Sequence, residues 1–262
     1  MFPFLLRFRS PQTIVQVGAY TGDDALIHAC RRWGHRLYMF EPNERRVLEL
    51  RRKASGSPNI QVIQKAVSNY NGRAQFHIAA HDDCSSLQEF DASANRTWVH
   101  EWHPYKRFDM VDTVEVEVIR LDTFLAAEGI DTVDQLEIDA QGEDLRVAES
   151  LGDRIRDVKR IQIEVNISGN PLYRDAFTKP EALAFFDARN FEPHVSWKQS
   201  INREENIVFR NRRFHPDPLF NRLSAAAEQQ SRSLYFTALK APRFFAVTRM
   251  MLARKIRGGA SA

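Results

Sequence analysis

Cysteine is scarce in this chain. Cys30 and Cys84 are the two among 262 residues, far apart and in neither a metal-ligand spacing nor a disulfide framework. They read as free thiols in a reducing cytoplasm. Long apolar runs are also missing. No segment offers the roughly 18 uninterrupted apolar residues that a spanning helix needs. The opening MFPFLLRFRS is interrupted by Arg7 and Arg9 and lacks a small-residue cleavage site. Residues 1–12 therefore read as an N-terminal segment and not a signal peptide, and the expected location is cytoplasmic. An excess of charge is lacking too: the net charge is +3, too small to argue for a nucleic-acid partner. Neither an internal repeat nor a low-complexity stretch is visible. What is present, 43% hydrophobic and 27% charged residues, suits one substantial core with an appendage.

The organising stretch is Thr13 to Glu41. Thr13-Ile-Val-Gln-Val17 is a β-branched run of the kind that forms a buried strand. Gly18-Ala-Tyr-Thr-Gly22 follows as a turn, and Asp23 and Asp24 suit the start of a helix that Gly34 stops. A second strand over 36–40 ends on Glu41-Pro42. Glycine lets backbone approach a ligand closely. The turn sits at the carboxyl end of the first strand, where open α/β sheets bind ligands. An acid closing the second strand can accept hydrogen bonds from both hydroxyls of a ribose. The stretch thus asks for a nucleoside-bearing cofactor. A dinucleotide site wants G-x-G-x-x-G with pyrophosphate on the helix N-terminus, whereas this chain places two aspartates there. They repel a pyrophosphate but tolerate S-adenosylmethionine, which carries a sulfonium and an ammonium.

Downstream, Glu44 to Lys53 reads as an amphipathic helix and Ile60 to Ile63 as a third strand, which delivers Lys65-Ala66-Val67 to the ligand edge. Residues 73–78 are the strand after it. From Ala79 to Met110 the pattern breaks into a long insertion rich in aromatics, expected to be a lid or substrate loop. Thr113 to Val118 alternates as a strand with one wet face. Leu121 to Leu125 and Glu143 to Leu151 are helical, with the strand Leu136 to Asp139 between them, and 160–165 is the next strand. A helix over 181–189 and two strands, 193–197 and 206–210, close the domain. The expectation is an α/β fold: one doubly wound domain over 13–210, ending in an antiparallel strand pair. Residues 211–262 form a helical extension in which Arg and Lys number ten against Asp217 and Glu228. Its segment 219–257 suits a peripheral membrane or homo-oligomer contact.

In order, VQVGAYTG (15–22), FEPN (40–43), KAVSNYNGRAQFHI (65–78), SSL (85–87), LDTFL (121–125), LEIDAQGEDLRV (136–147), IEV (163–165) and NIVF (206–209) give the chain its likeness. It resembles the FkbM-type S-adenosylmethionine-dependent methyltransferases over about 13–210. The resemblance implies a Rossmann-like, class I methyltransferase domain and methyl transfer to a hydroxyl. It assigns Gly18, Ala19, Tyr20 and Gly22 to the methionine part of the cofactor, and Glu41 to the ribose with Pro42 and Asn43 beside it. Ala66 lies near the adenine, Ser85 and Ser86 near the cofactor, and Asp139 next to the transferred methyl. Gln16 joins the cofactor set as a hydrogen-bond partner where an acid is common. Tyr20, Glu137 and Gln141 depart from the family's usual asparagine, lysine and glutamate.

For the chemistry, Asp139 is the first candidate base and Glu164 the second, since each closes a strand near the ligand edge. Asp139 also suits a helix cap or the cofactor's amino group. His77, His81, His100 and His103 are weaker candidates, and no metal is expected. The acceptor is expected to be a hydroxyl of a small molecule or glycan. The rival readings are a nicotinamide-dependent oxidoreductase and a non-catalytic module that assembles a complex through its basic tail.

Overall fold

A computed structural model describes residues 11–98, 107–215 and 224–230. The chain divides into two compact units, Met1–Asp217 and Pro218–Ala262. The second is described over 224–230 alone, which are helical. The membrane or oligomer contact expected of 219–257 otherwise lies outside the described residues, as do the N-terminal segment through residue 10, His100 and His103. Among the described residues no helix is long and apolar enough to cross a membrane.

The elements run β1 (Thr13–Val17), α1 (Asp24–Trp33), β2 (Arg36–Phe40), α2 (Glu44–Ala54), β3 (Ile60–Ile63), β4 (Ala66–Val67), β5 (Gly72–Ala79) and α3 (Ala94–Thr97). They continue β6 (Met110–Ile119), α4 (Leu121–Ala127), β7 (Gln135–Ile138), α5 (Asp144–Glu149), β8 (Arg160–Asn166), α6 (Lys179–Asp187), β9 (Phe191–Gln199) and β10 (Glu204–Asn211). Caps set several boundaries. Asp23 Oδ1 accepts from the amides of Ala25 and Leu26, and Gly34 ends α1 in the left-handed region at φ +70°. Thr178 and Glu181 form a capping box at the start of α6.

The main sheet has the order β3-β2-β1-β7-β8-β10-β9. Its first five strands are mutually parallel, and β10 runs antiparallel to both β8 and β9. Alternation along the strands separates two cores. Ile14, Leu37 and Met39 pack with Leu26 and Leu50 under α1 and α2. Val15, Val17, Phe40, Leu136 and Ile138 pack with Phe124, Val147 and Phe186 on the other face. Burying each such side chain contributes about 1.5–3 kcal/mol. The chain leaves β1 toward β2 on one side and later returns to β7 on the other. The carboxyl ends of β1 and β7 therefore form a switch point, where doubly wound sheets open a crevice.

Two features depart from the sequence expectation. The segment after β3 does not extend the main sheet: β4, β6 and β5 make a separate three-stranded sheet. The strand expected to have one wet face, now β6, is wet on both over most of its length, with Val111 and Val114 exposed. The clean alternation thus marked an outlying ribbon, with only Val118 of the strand buried. The 79–110 insertion builds a third small core from Cys84, Ala94, Trp98 and Phe108, packed on Leu172 and Tyr173.

Candidate active site

The loop after β1 is fixed almost wholly by the protein itself. The amides of Gly18 and Ala19 both donate to the Phe40 carbonyl, at 3.1 and 3.0 Å. The Tyr20 amide donates to Glu41 Oε2 at 2.8 Å, and that of Asn43 to Glu41 Oε1 at 2.8 Å. One carboxylate thereby pins the loops after β1 and β2 together. Burial pushes the Glu41 carboxyl up to about 7, opposed by those two amide bonds.

Glycine is required in this loop for a reason other than ligand approach. A Cβ on Gly18, at φ +76°, would lie 1.9 Å from the Asp139 carbonyl oxygen. One on Gly22, at φ +71°, would press the Leu50 side chain at 2.8 Å. The glycines let β1, β7 and α2 close on one another.

A cleft of about 60 Å³ opens to solvent at this switch point. Of the residues assigned from sequence, Gly18, Tyr20, Glu41, Pro42, Ala66, Ser85 and Asp139 line it. The rest do not form its wall. Ala19 is buried in the core beneath α1 and α2. Asn43 caps α2 through the Arg45 amide. Gln16 lies mid-strand, so its side chain leaves the sheet's face and meets Glu137 Oε2 at a long 3.5 Å. Ser86 is fully buried; its hydroxyl donates to the Gln141 carbonyl at 2.6 Å and accepts from the Gln88 amide. Its role is to weld the insertion to the loop after β7. Glu164 belongs to a different pocket. Of the described histidines, His77 faces Thr113 Oγ1 across the small sheet and His81 packs near Phe108; neither lines the cleft.

The structure also adds Phe76, Asp82, Asp83, Leu87 and Glu143, which the sequence reading did not assign to the site, and brings in Val67 and Gln141. Val67, Phe76 and Leu87 make an apolar wall, and Asp82, Asp83, Gln141 and Glu143 bring polar groups to the cleft. Tyr20 sits at φ +49° beneath Arg46, whose guanidinium lies 4.3 Å from the ring centroid. The Tyr20 hydroxyl donates to Asp82 Oδ1 at 3.0 Å, and Arg46 Nε donates to Asp82 Oδ2 at 2.8 Å. This three-residue clamp ties the insertion to the cofactor loop. Burial, and then the bond to Asp82, push the Tyr20 hydroxyl up to about 12.

Asp139 follows β7, and Gln141 Nε2 donates to its Oδ1 at 2.6 Å. Gln141, at φ +53°, is held by the Tyr173 hydroxyl, 2.6 Å from its Oε1. Asp139 is open to water in the cleft, yet the surrounding protein strips its bulk hydration and raises its pKa. The carboxylates expected to repel a pyrophosphate take other roles. Asp23 caps α1, and Asp24 is exposed and pairs with Lys53. The cleft has its own acids instead: Glu41, Asp82, Asp83, Asp139 and Glu143 line it beside Lys65, which pairs with Glu117 at 2.8 Å, while Arg46 pairs with Asp82 and Arg146 with Glu143 at 2.7 Å from outside the lining. Such a lining fits a cationic nucleoside cofactor and opposes a dinucleotide pyrophosphate.

A parallel switch-point cleft, an acid closing the second strand and an acidic lining define the class, a Rossmann-like domain for a cationic nucleoside donor. The chain belongs to the FkbM methyltransferase family, whose domain model matches residues 16–193. Its domain is a methyltransferase domain and its methyl donor is S-adenosylmethionine. The 2-O-methyltransferase NoeI of Sinorhizobium fredii (strain NBRC 101917 / NGR234) is 27% identical over 130 residues. That match covers 49% of this chain and 53% of NoeI, so the likeness spans about half of each. Among solved structures, M. capricolum TrmK with bound S-adenosylhomocysteine aligns at TM-score 0.43 and 11% identity, over 80% of this chain and 69% of that one. An rRNA methylase from Streptococcus thermophilus aligns at 0.40 and 11%, over 77% and 87%. Likenesses this distant do not bear on the reaction.

Proposed function

We propose that the protein transfers a methyl group from S-adenosylmethionine to a hydroxyl oxygen of a small molecule or glycan. The observation that carries this reading is Asp139, an accessible carboxylate at the carboxyl end of β7 held in place by Gln141. When bound, S-adenosylmethionine supplies the methyl group, and the electron pair of the broken carbon–sulfur bond stays on sulfur. Gly18, Tyr20, Glu41 and Ala66 would hold the donor. Glu41 would accept from the ribose hydroxyls through the lone pairs that the Tyr20 and Asn43 amides leave open. The apolar wall of Val67, Phe76 and Leu87 suits a purine face.

Asp139 takes the proton from the acceptor hydroxyl as the new carbon–oxygen bond forms. Its raised pKa makes it a stronger base than an ordinary aspartate once it is ionised. A donor cation beside it favours that ionised form. Alignment of oxygen, carbon and sulfur supplies the larger part of the acceleration, about 7–11 kcal/mol in well-oriented systems. The likeness to a 2-O-methyltransferase supports a hydroxyl acceptor, and the acidic lining is unsuited to nucleic-acid phosphates.

The test is calorimetric titration with S-adenosylmethionine, NADH serving as control, followed by transfer of labelled methyl to hydroxyl-bearing metabolites and glycans. Micromolar binding of the methyl donor is expected. Asp139→Asn should keep that binding within a few-fold and lower transfer by about 10²–10⁴-fold. Binding of NADH in place of the methyl donor would sink the reading.

A further inference from the structure

A second, much smaller pocket, of about 20 Å³, lies beside the first and is lined by residues that the cofactor reading does not use. Its carboxyl groups come from Asp144 after β7, Glu164 on β8 and Glu204 on β10. Asp144 is committed to the fold, its two oxygens accepting the amides of Ala140 and Glu164. Glu164 accepts from Gln199 Nε2 and shares a carboxyl–carboxyl hydrogen bond with Glu204. Such a bond needs one proton on the pair. Burial, then the nearby carboxylates of Glu204, Asp139 and Asp144, raise the Glu164 pKa in the same sense.

Asn166, at the end of β8, supplies the independent observation. It is 8% exposed and lines this pocket. Its Oδ1 accepts from the Ser168 amide at 2.9 Å, while its Nδ2 is buried with no hydrogen-bond partner. Buried polar atoms are rarely left unsatisfied without a reason.

The chemistry of the lining selects the ligand. A carboxylate or phosphate would satisfy Asn166 Nδ2 but face the acids, and among the described residues no Lys, Arg or His lines the pocket. An ammonium would satisfy the acids and leave the amide donor unpaired. A neutral hydroxyl does both, accepting from Nδ2 and donating to a carboxyl oxygen. Among the described residues, no group of His, Cys, Asp and Glu is arranged to hold a metal ion. The pocket is also tied to the proposed base. Tyr173 lines it, and the Tyr173 hydroxyl bonds Gln141, which bonds Asp139.

We propose that this pocket is a subsite for one hydroxyl of a neutral polyhydroxyl acceptor, which accepts from Asn166 Nδ2 and donates to Glu164 or Glu204. The inference rests on the hydroxyl-methylation reading above and deepens it: the acceptor is a neutral polyol or sugar ring, not an acidic one.

The full chain, saturated with S-adenosylhomocysteine, is mixed with methyl α-D-glucopyranoside or with the corresponding uronate, and saturation-transfer NMR reads binding. The neutral glycoside should show transfer and the uronate at least tenfold less. Asn166→Leu should weaken the neutral signal at least tenfold, with S-adenosylhomocysteine affinity kept within twofold. Asn166→Asp retains the Oδ1 that Ser168 uses and removes the amide donor, so it should lose the signal above pH 8 even if the leucine variant fails to fold. Equal signals from the two glycosides, insensitivity to both substitutions, or no neutral-glycoside signal at 100 mM would each overturn the subsite. Methyl transfer to a glycan that ignores both Asn166 variants would sink the subsite and keep the function. A glycoside signal lost in the variants, with no labelled methyl ever transferred, would do the reverse.

Discussion

The two pockets flank one loop, residues 139–142, and are built on opposite principles. In the cofactor cleft the polar groups are already spoken for. Glu41 is held by two amides, Tyr20 by Asp82 and Arg46, and Asp139 by Gln141. In the pocket beyond Tyr173, Asn166 Nδ2 is buried without a partner and two glutamates are hydrogen-bonded to each other. The first arrangement is preorganised, so binding need order little. The second leaves a requirement that a ligand can meet. A pinned site holds a ligand that is always the same, and an unsatisfied one selects among ligands that differ.

The sharpest way to break the first half of that contrast is at Gly18. Gly18→Ala drives a Cβ into the Asp139 carbonyl at a backbone angle that side chains resist. A loss of about 2–4 kcal/mol of stability is expected, together with loss of S-adenosylmethionine binding; denaturant melts and calorimetry read both. Gly22→Ala meets the end of the flexible Leu50 side chain and should cost about half as much. Equal costs would mean that the turn's dihedral angles, and not the close approach to β7, require the glycine.

A smaller effect should appear with pH. Glu41 in the fold titrates near 7, against an ordinary value of 4.5. The folded state therefore favours the protonated carboxyl. Its contribution to stability is complete below about pH 4.5 and is lost as pH rises through 7. Ligand binding should move the opposite way, since ribose hydroxyls donate to the ionised form. S-adenosylhomocysteine affinity should rise several-fold between pH 6 and 8, and Glu41→Gln should flatten that slope. An unchanged slope would remove Glu41 from the ribose site.

The smallest effect belongs to the clamp. Tyr20→Phe keeps the ring under Arg46 and the Arg46–Asp82 pair, but loses the hydroxyl's bonds. About 1 kcal/mol is expected, read as a modest shift in melting temperature with the methyl donor still bound. Loss of binding would show that the tyrosine hydroxyl, and not only the loop and ring it belongs to, holds the cofactor.

Much of this was legible in the chain itself. Strand and helix positions from Thr13 to Phe40 follow from one β-branched run, one apolar run, an Asp cap and a Gly stop, all local signals. Gly18, Glu41, Ala66 and Asp139, which line the cleft, stand out in the sequence because each closes or follows a strand at the ligand edge. Gln16 and Ser86 do not line the cleft, because a motif gives sequence position, not the face to which a side chain turns. Alternation in β1 sends Gln16 onto the sheet's face, toward Glu137. The insertion's fold buries Ser86 against Gln141.

Composition, periodicity and motif order determined the α/β class, the parallel order of the first strands and the cofactor's edge of the sheet, because these depend on neighbours within a few residues. Tertiary structure alone decided that β4, β5 and β6 leave the main sheet. It alone brought Asp82 to Tyr20, 62 residues apart, and Tyr173 to Gln141, 32 apart. It also set Glu164 in a pocket of its own beside Asn166 and Glu204. Such meetings depend on which strands pair and how the chain crosses between them, and no local spacing encodes that.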